Sequence, residues 1–289
     1  MNTIQSPVHE SSGNPAAEVT VRILPQRGFL NLDLAAVWEF RELLYFLVWR
    51  DISVRYKQTV IGIAWAVLQP LLTMMIFTVI FGHFAKMPSD DLPYSIFTFT
   101  ALLPWTYFSQ SISRSSVSLV SDSNLVKKVY FPRLIIPIAG VVAPLVDFGI
   151  SFLVLLGLMV WFAIPLHWTI LAFPIFLLLA LLTALAIGLW LAPLNARYRD
   201  VGHTIPFLVQ FWMFASPVTY SLSIIPEKWR LLYGLNPLVG VIEGFRWALL
   251  GKSSPDFGVM GLSALAILAL LFMGVVYFKR MEQSFSDIL

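Results

Sequence analysis

The sequence predicts an all-α membrane protein with six transmembrane helices. Of its 289 residues, 58% are hydrophobic and only 12% are charged, which is about half the charged share of a typical soluble domain. The hydrophobic residues also gather in several runs long enough to cross a bilayer. This pattern excludes an ordinary soluble enzyme and a disordered chain. Because the sequence has no cysteine, disulfides, iron–sulfur clusters and thiolate metal sites are excluded as well.

The N-terminal part predicts a tail followed by a helix at the membrane surface. Residues 1–33 are polar and lack the basic start and apolar run of a signal peptide, so we expect a flexible cytoplasmic tail. Residues 34–57 carry aromatic and apolar side chains at helical spacing, but their longest apolar run, Leu43 to Trp49, has seven residues. A span needs about 20 residues. We therefore expect an amphipathic helix lying in the membrane interface.

The remaining residues, 58–289, predict one transmembrane domain. Long apolar segments place spans at about 60–82, 94–113, 134–164, 168–194, 203–221 and 258–278. The second segment is the least apolar, and the fifth carries Pro206 and Pro217. Loss of both spans would still keep the two termini on one side of the membrane, whereas loss of one would separate them.

The positions of the cations predict the orientation of these spans. With the N-terminus inside, 14 of the 19 Lys and Arg residues fall on the inner side and 5 on the outer side. Short inner loops of membrane proteins are enriched in Lys and Arg. We therefore predict that both termini face the cytoplasm.

The outer segment between the fifth and sixth spans is unusual. Its stretch LNPLVGVIEGFRWALLG, residues 235–251, is too apolar for a solvated loop, yet too short and too charged to cross a membrane. One or two re-entrant half-helices that pack against the bundle would fit this composition.

The sequence offers no catalytic or metal site. The four histidines lie in separate segments without the paired spacing of metal ligands. The adjacent acids Asp90 and Asp91 lie in a short outer loop beside prolines, where a solvated turn is the simpler interpretation. No glycine-rich phosphate-binding loop follows a predicted strand. We therefore predict that the chain is not an enzyme, and that it binds neither a metal nor another cofactor.

Asp147 is the one acidic residue near the middle of an apolar segment. An ionisable group at this depth costs free energy, so it is a candidate functional residue. It could be a polar contact in a conduction path. Alternatively, it could be a carboxyl group that is hydrogen-bonded to a neighbouring helix.

Three inner segments combine positive charge with aromatic residues: the end of the interfacial helix, residues 120–133 and residues 195–203. Cations that orient the protein and contact lipid headgroups are one explanation. A docking surface for a soluble partner is the other, because charge alone would not require the aromatic side chains of residues 130 and 131.

Four stretches of the chain match a known family. They are FRELLYFLVWRDISVRYKQTVIGIAWAVLQPLL (40–72), NLVKKVYFPRLIIP (124–137), NARYRDV with FWMFASPVTY (within 195–220), and LNPLVGVIEGFRWALLG (235–251). As a set they resemble the permease subunit of ABC-2 type exporters, in the branch that exports lipid-linked polysaccharides such as O antigen, capsule or teichoic acid. The resemblance covers most of the predicted folded part.

This resemblance implies the partners of the chain. It implies a homodimer with twelve spans in a bacterial inner membrane, bound to two copies of a cytoplasmic ABC ATPase that holds ATP and Mg. The substrate would be a lipid-linked polysaccharide, and no nucleic acid would be involved. A related exporter of a smaller lipid or a drug-like molecule is the alternative. An ion-driven carrier would need more buried charges, and a membrane-embedded transferase would need a cluster of acids or a phosphate site.

The resemblance also implies roles for single residues. Stretches that resemble the ATPase-facing helices of the family contain ten candidate coupling residues: Arg50, Asp51, Arg55, Tyr56, Lys127, Lys128, Tyr130, Arg133, Arg199 and Asp200. The outer segment resembles the short helices of the family's external gate, where the candidates are Asn236, Pro237, Glu243 and Arg246. The last two are spaced i,i+3, so they could pair on one helix face.

A path for a sugar polymer should contact the polymer without holding it tightly. Aromatic rings offer flat apolar faces, and Tyr and Trp add a polar edge. The candidate channel residues are therefore Asp147 and the aromatic residues of the second and fifth spans, Trp105, Tyr107, Phe108, Phe211, Trp212, Phe214 and Tyr220. Each of these rings could instead be a core or lipid-facing side chain.

Overall fold

The computed structural model describes residues 34–57, 62–251, 255–282 and 285 of the chain. Within these residues the regular structure is helical throughout, and no strand is present. The predicted all-α class is therefore confirmed. The predicted tail, residues 1–33, lies outside the described residues.

The predicted interfacial helix is divided into two helices. Helix α1 covers Leu34–Glu39 and helix α2 covers Arg41–Tyr56, with a turn at Phe40 between them. Leu47 is the buried residue of α2. Several large side chains of these two helices are exposed: Trp38, Tyr45, Phe46 and Trp49.

Helices α3, α4 and α5 follow along the chain. Helix α3 covers Gly62–Phe77 and continues as a π-helix over Thr78–Phe84. Helix α4 covers Tyr94–Ser121, and the short helix α5 covers Ser123–Lys128. The 28 residues of α4 correspond to a length of about 42 Å. This helix therefore connects two distant ends of the molecule.

The third apolar segment contains two helices rather than one. Helix α6 covers Ile135–Val142 and helix α7 covers Leu145–Trp161, with Ala143 and Pro144 between them. Proline has no backbone N–H to donate within a helix, and its ring clashes with the preceding turn. The break therefore lies where the sequence places this proline.

Helix α8 covers Phe173–Arg197 after a short 3-10 turn over Trp168–Ala172. Helix α9 covers Asp200–Phe214, and so ends before the predicted end of the fifth span at about residue 221. A helix of 15 residues is about 22 Å long, shorter than a bilayer core of about 30 Å. If α9 belongs to a transmembrane span, residues 215–221 would have to cross the rest of the bilayer as non-helical chain.

The segment that follows forms the predicted short helices. A 3-10 turn at Leu222–Ile224 precedes helix α10, Glu227–Tyr233, and helix α11, Pro237–Leu250. The last helix, α12, covers Phe257–Glu282. Thirteen of the 14 residues of α11 are buried, which explains why this stretch is too apolar for a solvated loop.

Four helical segments in the described part of the chain are long and apolar enough to cross a membrane. They are Ala64–Phe84, Ile135–Trp161, Trp168–Arg197 and Phe257–Glu282. They coincide with the first, third, fourth and sixth predicted spans. Helix α4 has the length but is less apolar, and α9 is short, so the count of six spans stays a prediction.

Helix α4 is the centre of the molecule. It packs against α3, α6, α7, α8, α9 and α11, and α8 packs in turn against α12. The main hydrophobic core lies among these helices and includes Phe108, Phe148 and Phe245. A second cluster, with Leu47, Phe278 and others, joins α2 and α6 to the end of α12.

Candidate functional site

The candidate residues lie at both ends of α4 and beside its middle. Tyr94, at the start of α4, donates a hydrogen bond from its hydroxyl to the Thr219 carbonyl at 2.6 Å, so α4 begins beside segment 215–221. Its other end leads directly into α5. We call these regions the α11 end and the α5 end of the molecule.

Arg50 on α2 is bound within the chain rather than free for a partner. Its guanidinium donates to both carboxylate oxygens of Asp122, at 2.7 and 2.9 Å, and also to Asp51. The hydrogen bond with Asp122 is the main cause that raises the pKa of Arg50 above its usual value. Asp122 lies between α4 and α5, so this pair fastens α2 to the α4–α5 junction. Asp122 could not be identified from the sequence as the partner of Arg50, because 72 positions separate the two residues.

Asp147 is the acceptor at the centre of a second polar cluster. Its two carboxylate oxygens accept hydrogen bonds from Arg55 and from the Tyr56 hydroxyl. Arg55 also donates to the amide oxygen of Gln110 on α4 at 3.1 Å. Burial, followed by the hydrogen bond to Asp147, raises the pKa of Tyr56 to about 12. The phenol therefore stays protonated, and able to donate, throughout the physiological pH range.

This cluster lines a narrow cleft between α2, α3, α4 and α7, which we call the polar cleft. Its polar lining consists of Arg55, Gln69, Thr106, Tyr107, Gln110, Asp147 and Ser151. Asp147 is recognisable in the sequence as the unusual group, and the structure identifies the neighbouring helices that supply its partners. Gln69 and Gln110 were missed, although an amide within an apolar segment is itself a signal of a polar environment.

The candidates around α5 and at the start of α9 are exposed. They form what we call the α5 surface: Lys127, Lys128, Tyr130, Arg199 and Asp200. The Tyr130 side chain is 81% exposed. The start of α9 is fastened to α4, the helix that leads into α5, by Asn195, which donates to the Ser116 carbonyl on α4 at 3.0 Å and accepts from the Gly202 N–H on α9 at 2.7 Å.

The Arg133 side chain binds residues near the end of α12 in the same chain. It donates to the backbone carbonyl of Glu282 at 2.6 Å and lies 5.7 Å from the ring centre of Phe285. The ten coupling candidates are thus divided into two groups. Five form the exposed α5 surface. Arg50, Arg55, Tyr56 and Arg133 bind other parts of the same chain, and Asp51 accepts hydrogen bonds from the neighbouring Arg50.

At the α11 end, Glu243 and Arg246 form the pair that their spacing predicted, with 2.8 Å between the guanidinium and the carboxylate. Arg246 is 1% exposed. It also donates to the carbonyls of Val218 and Tyr220, at 3.1 and 3.3 Å, and lies 3.6 Å from the ring centre of Phe97. The pair therefore holds segment 215–221 against α4.

Asn236 and Pro237 begin α11. The Asn236 side chain accepts from the Leu238 N–H, which caps the helix, and also from the Trp212 indole N–H at 3.0 Å. Its amide donates to the Ala215 carbonyl at 3.0 Å. Proline at the first helical position has no N–H that would be left unpaired there. These two residues join the end of α9 to the start of α11.

Tyr220 and Tyr233 complete this arrangement. Their hydroxyls are 2.7 Å apart, and Tyr233 also donates to the Ala215 carbonyl at 3.0 Å. Burial is the main cause that raises the pKa of Tyr233, so this phenol stays protonated. Segment 215–221 is consequently held by side chains from α4, α10 and α11.

The aromatic channel candidates lie in different environments. Trp105, Tyr107 and Phe108 on α4 are buried in the main core. Phe108 packs edge-to-face on Trp212 with 5.3 Å between ring centres. In contrast, Phe211 and Phe214 on α9 are 68% and 51% exposed. The structure therefore brings Phe108 and Trp212 together, but it does not place all seven rings on one surface.

No group of three or more His, Asp and Glu residues in the described parts of the chain is arranged to hold a metal ion. The polar groups of the polar cleft and of the α11 end are engaged mainly in hydrogen bonds between different parts of the chain.

Known proteins resemble this chain over most of its length. The pattern of the family described as ABC-2 type transporter matches residues 42–250. The O-antigen export system permease protein RfbA of Myxococcus xanthus is 30% identical over 250 residues, which are 86% of this chain and 95% of that protein. A protein of the same name from Klebsiella pneumoniae is 26% identical, with the same coverage. The polysialic acid transport protein KpsM of Escherichia coli is 26% identical over 81% of this chain and 92% of its own length.

Proposed function

The chain belongs to the ABC-2 type transporter family, and we propose that it is the permease subunit of an exporter that moves a lipid-linked polysaccharide across the inner membrane of a bacterium. This proposal rests on the similarity of the chain to permeases named for O-antigen export, which extends over most of its length and most of theirs. The similarity to a polysialic acid transport protein supports the same substrate class. The protein is a multi-pass membrane transport subunit rather than a catalyst.

The energy for export would come from a separate partner. We propose two copies of a cytoplasmic ABC ATPase, which bind ATP and Mg, on a homodimer of this chain with both termini inside. The exposed α5 surface supports this arrangement, because it combines cations with an exposed Tyr130 ring, a composition suited to protein contact. The α5 surface would receive the movement that ATP binding produces in the partner.

Helix α9 is our candidate for one wall of the polymer path. A narrow stripe, including Ile205 and Val209, packs on the bundle, and the rest of the helix is largely exposed. The exposed side carries Phe207 and Phe211 beside the amide of Gln210. An exposed amide within an apolar span is unfavourable against lipid, so this side suits a second copy of the chain or a hydrated sugar polymer. Rings and an amide can offer stacking and hydrogen bonds to a sugar.

The proposed function can be tested by deletion and complementation. Deletion of the gene should abolish the surface polysaccharide and leave its lipid-linked form inside the cell. The wild-type chain should restore export. A Lys127→Glu, Lys128→Glu double variant should reduce export about tenfold or more, because it reverses the charge of the α5 surface where the ATPase would bind. Surface polymer, internal lipid-linked polymer and co-purified ATPase would be measured together.

Lys228→Glu is the matched control for this experiment. Lys228 is an exposed cation on α10, at the α11 end, so reversal of this single charge, far from the α5 surface, should leave export intact. Unchanged surface polysaccharide after gene deletion would contradict the proposed substrate. Normal export and normal ATPase co-purification in the double lysine variant would instead contradict the docking surface.

A further inference from the structure

Asp147 joins three helices that are far apart in the sequence. Its carboxylate lies in the first turn of α7 and is 6% exposed. Arg55 and Tyr56, at the end of α2, reach it from one side, and Arg55 also contacts Gln110 on α4. Because α2 packs mainly on α6, these long side chains make its main connection to α7.

The cluster lies near prolines of its neighbouring helices, one between α6 and α7 and others within α3 and α4. Pro70 of α3 and Pro144, between α6 and α7, both line the polar cleft together with Asp147. Pro104 of α4 is next to Leu103, another residue of the lining. A proline removes a helical hydrogen bond and allows a helix to bend. A force applied to Asp147 would therefore act beside the positions at which these helices can bend.

Stability alone does not account for this cluster. Burying two charges costs free energy that their attraction often only just recovers, and well-packed apolar side chains can be as stable. Arg55 is partly exposed, whereas Asp147 is almost fully buried. Such a pair does, however, fix the relative positions of two elements, since it tolerates few other geometries.

We propose that the Arg55–Asp147 pair, supported by Tyr56 and Gln110, is a mechanical link that carries movement of α2 to the bend between α6 and α7. This inference rests on the proposed function, in which a partner ATPase drives the permease. Arg55 and Asp147 are then positioning residues, because they transmit displacement rather than contact the ATPase or the polymer. The pair Arg50–Asp122 fastens the same helix to α5, so α2 connects the α5 surface to the polar cleft.

The test uses an Asp147→Asn variant in the complete complex with its ATPase. The amide keeps the size of the carboxylate and removes its charge, which should release α2 from α7. We expect the complex to assemble and the polymer exported per ATP hydrolysed to fall about tenfold. Asp91→Asn is the matched control, since Asp91 is an exposed acid with a positive φ angle that Asn tolerates. It should export normally.

An exchange of the two charges tests whether Asp147 acts as a link between helices or has another role. The double variant Arg55→Asp, Asp147→Arg keeps an ion pair between α2 and α7, so it should recover most of the export per ATP, whereas each single variant should not. Failure of the exchange to restore a variant that assembles would assign Asp147 to the polymer path and overturn the link. Export by Asp147→Asn within about twofold of wild type would also overturn it.

These outcomes differ from a failure of the proposed function. If the wild-type chain co-purifies with no ATPase, or if gene deletion leaves the surface polysaccharide unchanged, the exporter assignment itself is wrong. If Asp147→Asn does not accumulate in the membrane, the double variant Arg55→Asp, Asp147→Arg still tests the proposed link. Restored accumulation and export support the link, and restored accumulation without export overturns it.

Discussion

A guanidinium inside a protein must find partners for its charge and its donors. Arg246 is the largest fully buried side chain in the described part of the molecule. It is held by the Glu243 carboxylate, by two backbone carbonyls and by the face of Phe97. Removing one partner from such a group leaves a buried charge unpaired, which costs far more than an exposed ion pair contributes. The residues of the α11 end should therefore be very sensitive to substitution.

Arg246→Ala should lower the free energy of unfolding by about 3–5 kcal/mol, because it leaves the Glu243 carboxylate buried without its partner. The melting temperature of the purified protein in detergent would report this loss. Lys228→Ala removes an exposed cation near the same end and should change the melting temperature little. A variant with both Glu243→Leu and Arg246→Leu should be more stable than Arg246→Ala, since it removes both charges together. Equal stability of the wild type and Arg246→Ala would contradict a role of this pair in holding segment 215–221.

Among the helices, α11 makes unusually close contacts with two of its neighbours. Helix α11 crosses α8 at Gly244, where an added Cβ atom would lie 2.0 Å from the ring of Phe176. It also crosses α12 at Gly240, where an added Cβ would lie 2.5 Å from the Ser263 side chain. Small residues allow helices in membranes to pack closely. The glycines of the LNPLVGVIEGFRWALLG stretch are therefore packing positions, which its apolar composition alone did not reveal.

Gly244→Ala should destabilise the protein by about 1–3 kcal/mol, because the added methyl group overlaps a ring that is already packed. Gly157→Ala is the matched control. Gly157 lies within α7, and an added Cβ there meets no atom within 4 Å. That control should leave stability unchanged or raise it by up to about 1 kcal/mol, because Ala favours helix more than Gly does. Thermal unfolding of both variants measures the difference, and similar melting temperatures would contradict the close crossing.

Local sequence signals predicted where helices occur better than where they end. Pro144 marks the break between α6 and α7, since the effect of a proline is local. The end of α9 at Phe214 was missed, because it depends on side chains far along the chain. Asn236 and Arg246 bind carbonyls of segment 215–221, and so stabilise it as non-helical chain.

At the scale of the whole molecule, orientation remains a prediction that follows from the distribution of cations. The α5 end and the α11 end lie at opposite ends of α4, about 42 Å apart. If α4 crosses the membrane, one end must face the cytoplasm and the other the outside. Tyr130 and Lys228, both exposed, mark these two ends.

Single cysteines can test this orientation, because the chain has none of its own. With a maleimide that does not cross membranes, a Lys228→Cys variant should be labelled on cells with a permeabilised outer membrane. A Tyr130→Cys variant should be labelled only after the inner membrane is opened. The unsubstituted chain is the control and should take no label. Labelling of Tyr130→Cys before opening of the inner membrane would contradict an inside N-terminus.

The sequence by itself determined the all-α membrane class, four of the predicted apolar spans and the resemblance to ABC-2 permeases. These features depend on composition and on spacing over short distances, which a linear chain carries directly. Only the tertiary structure decided which charged candidates bind each other. Arg55 and Asp147 are 92 positions apart, and their pairing exists only because the tertiary fold, in which α2 packs on α6 and α3, brings the end of α2 within side-chain reach of α7. The same fold buries Phe108 and exposes Phe211. The sequence could not separate these two residues, because both are phenylalanines within apolar segments.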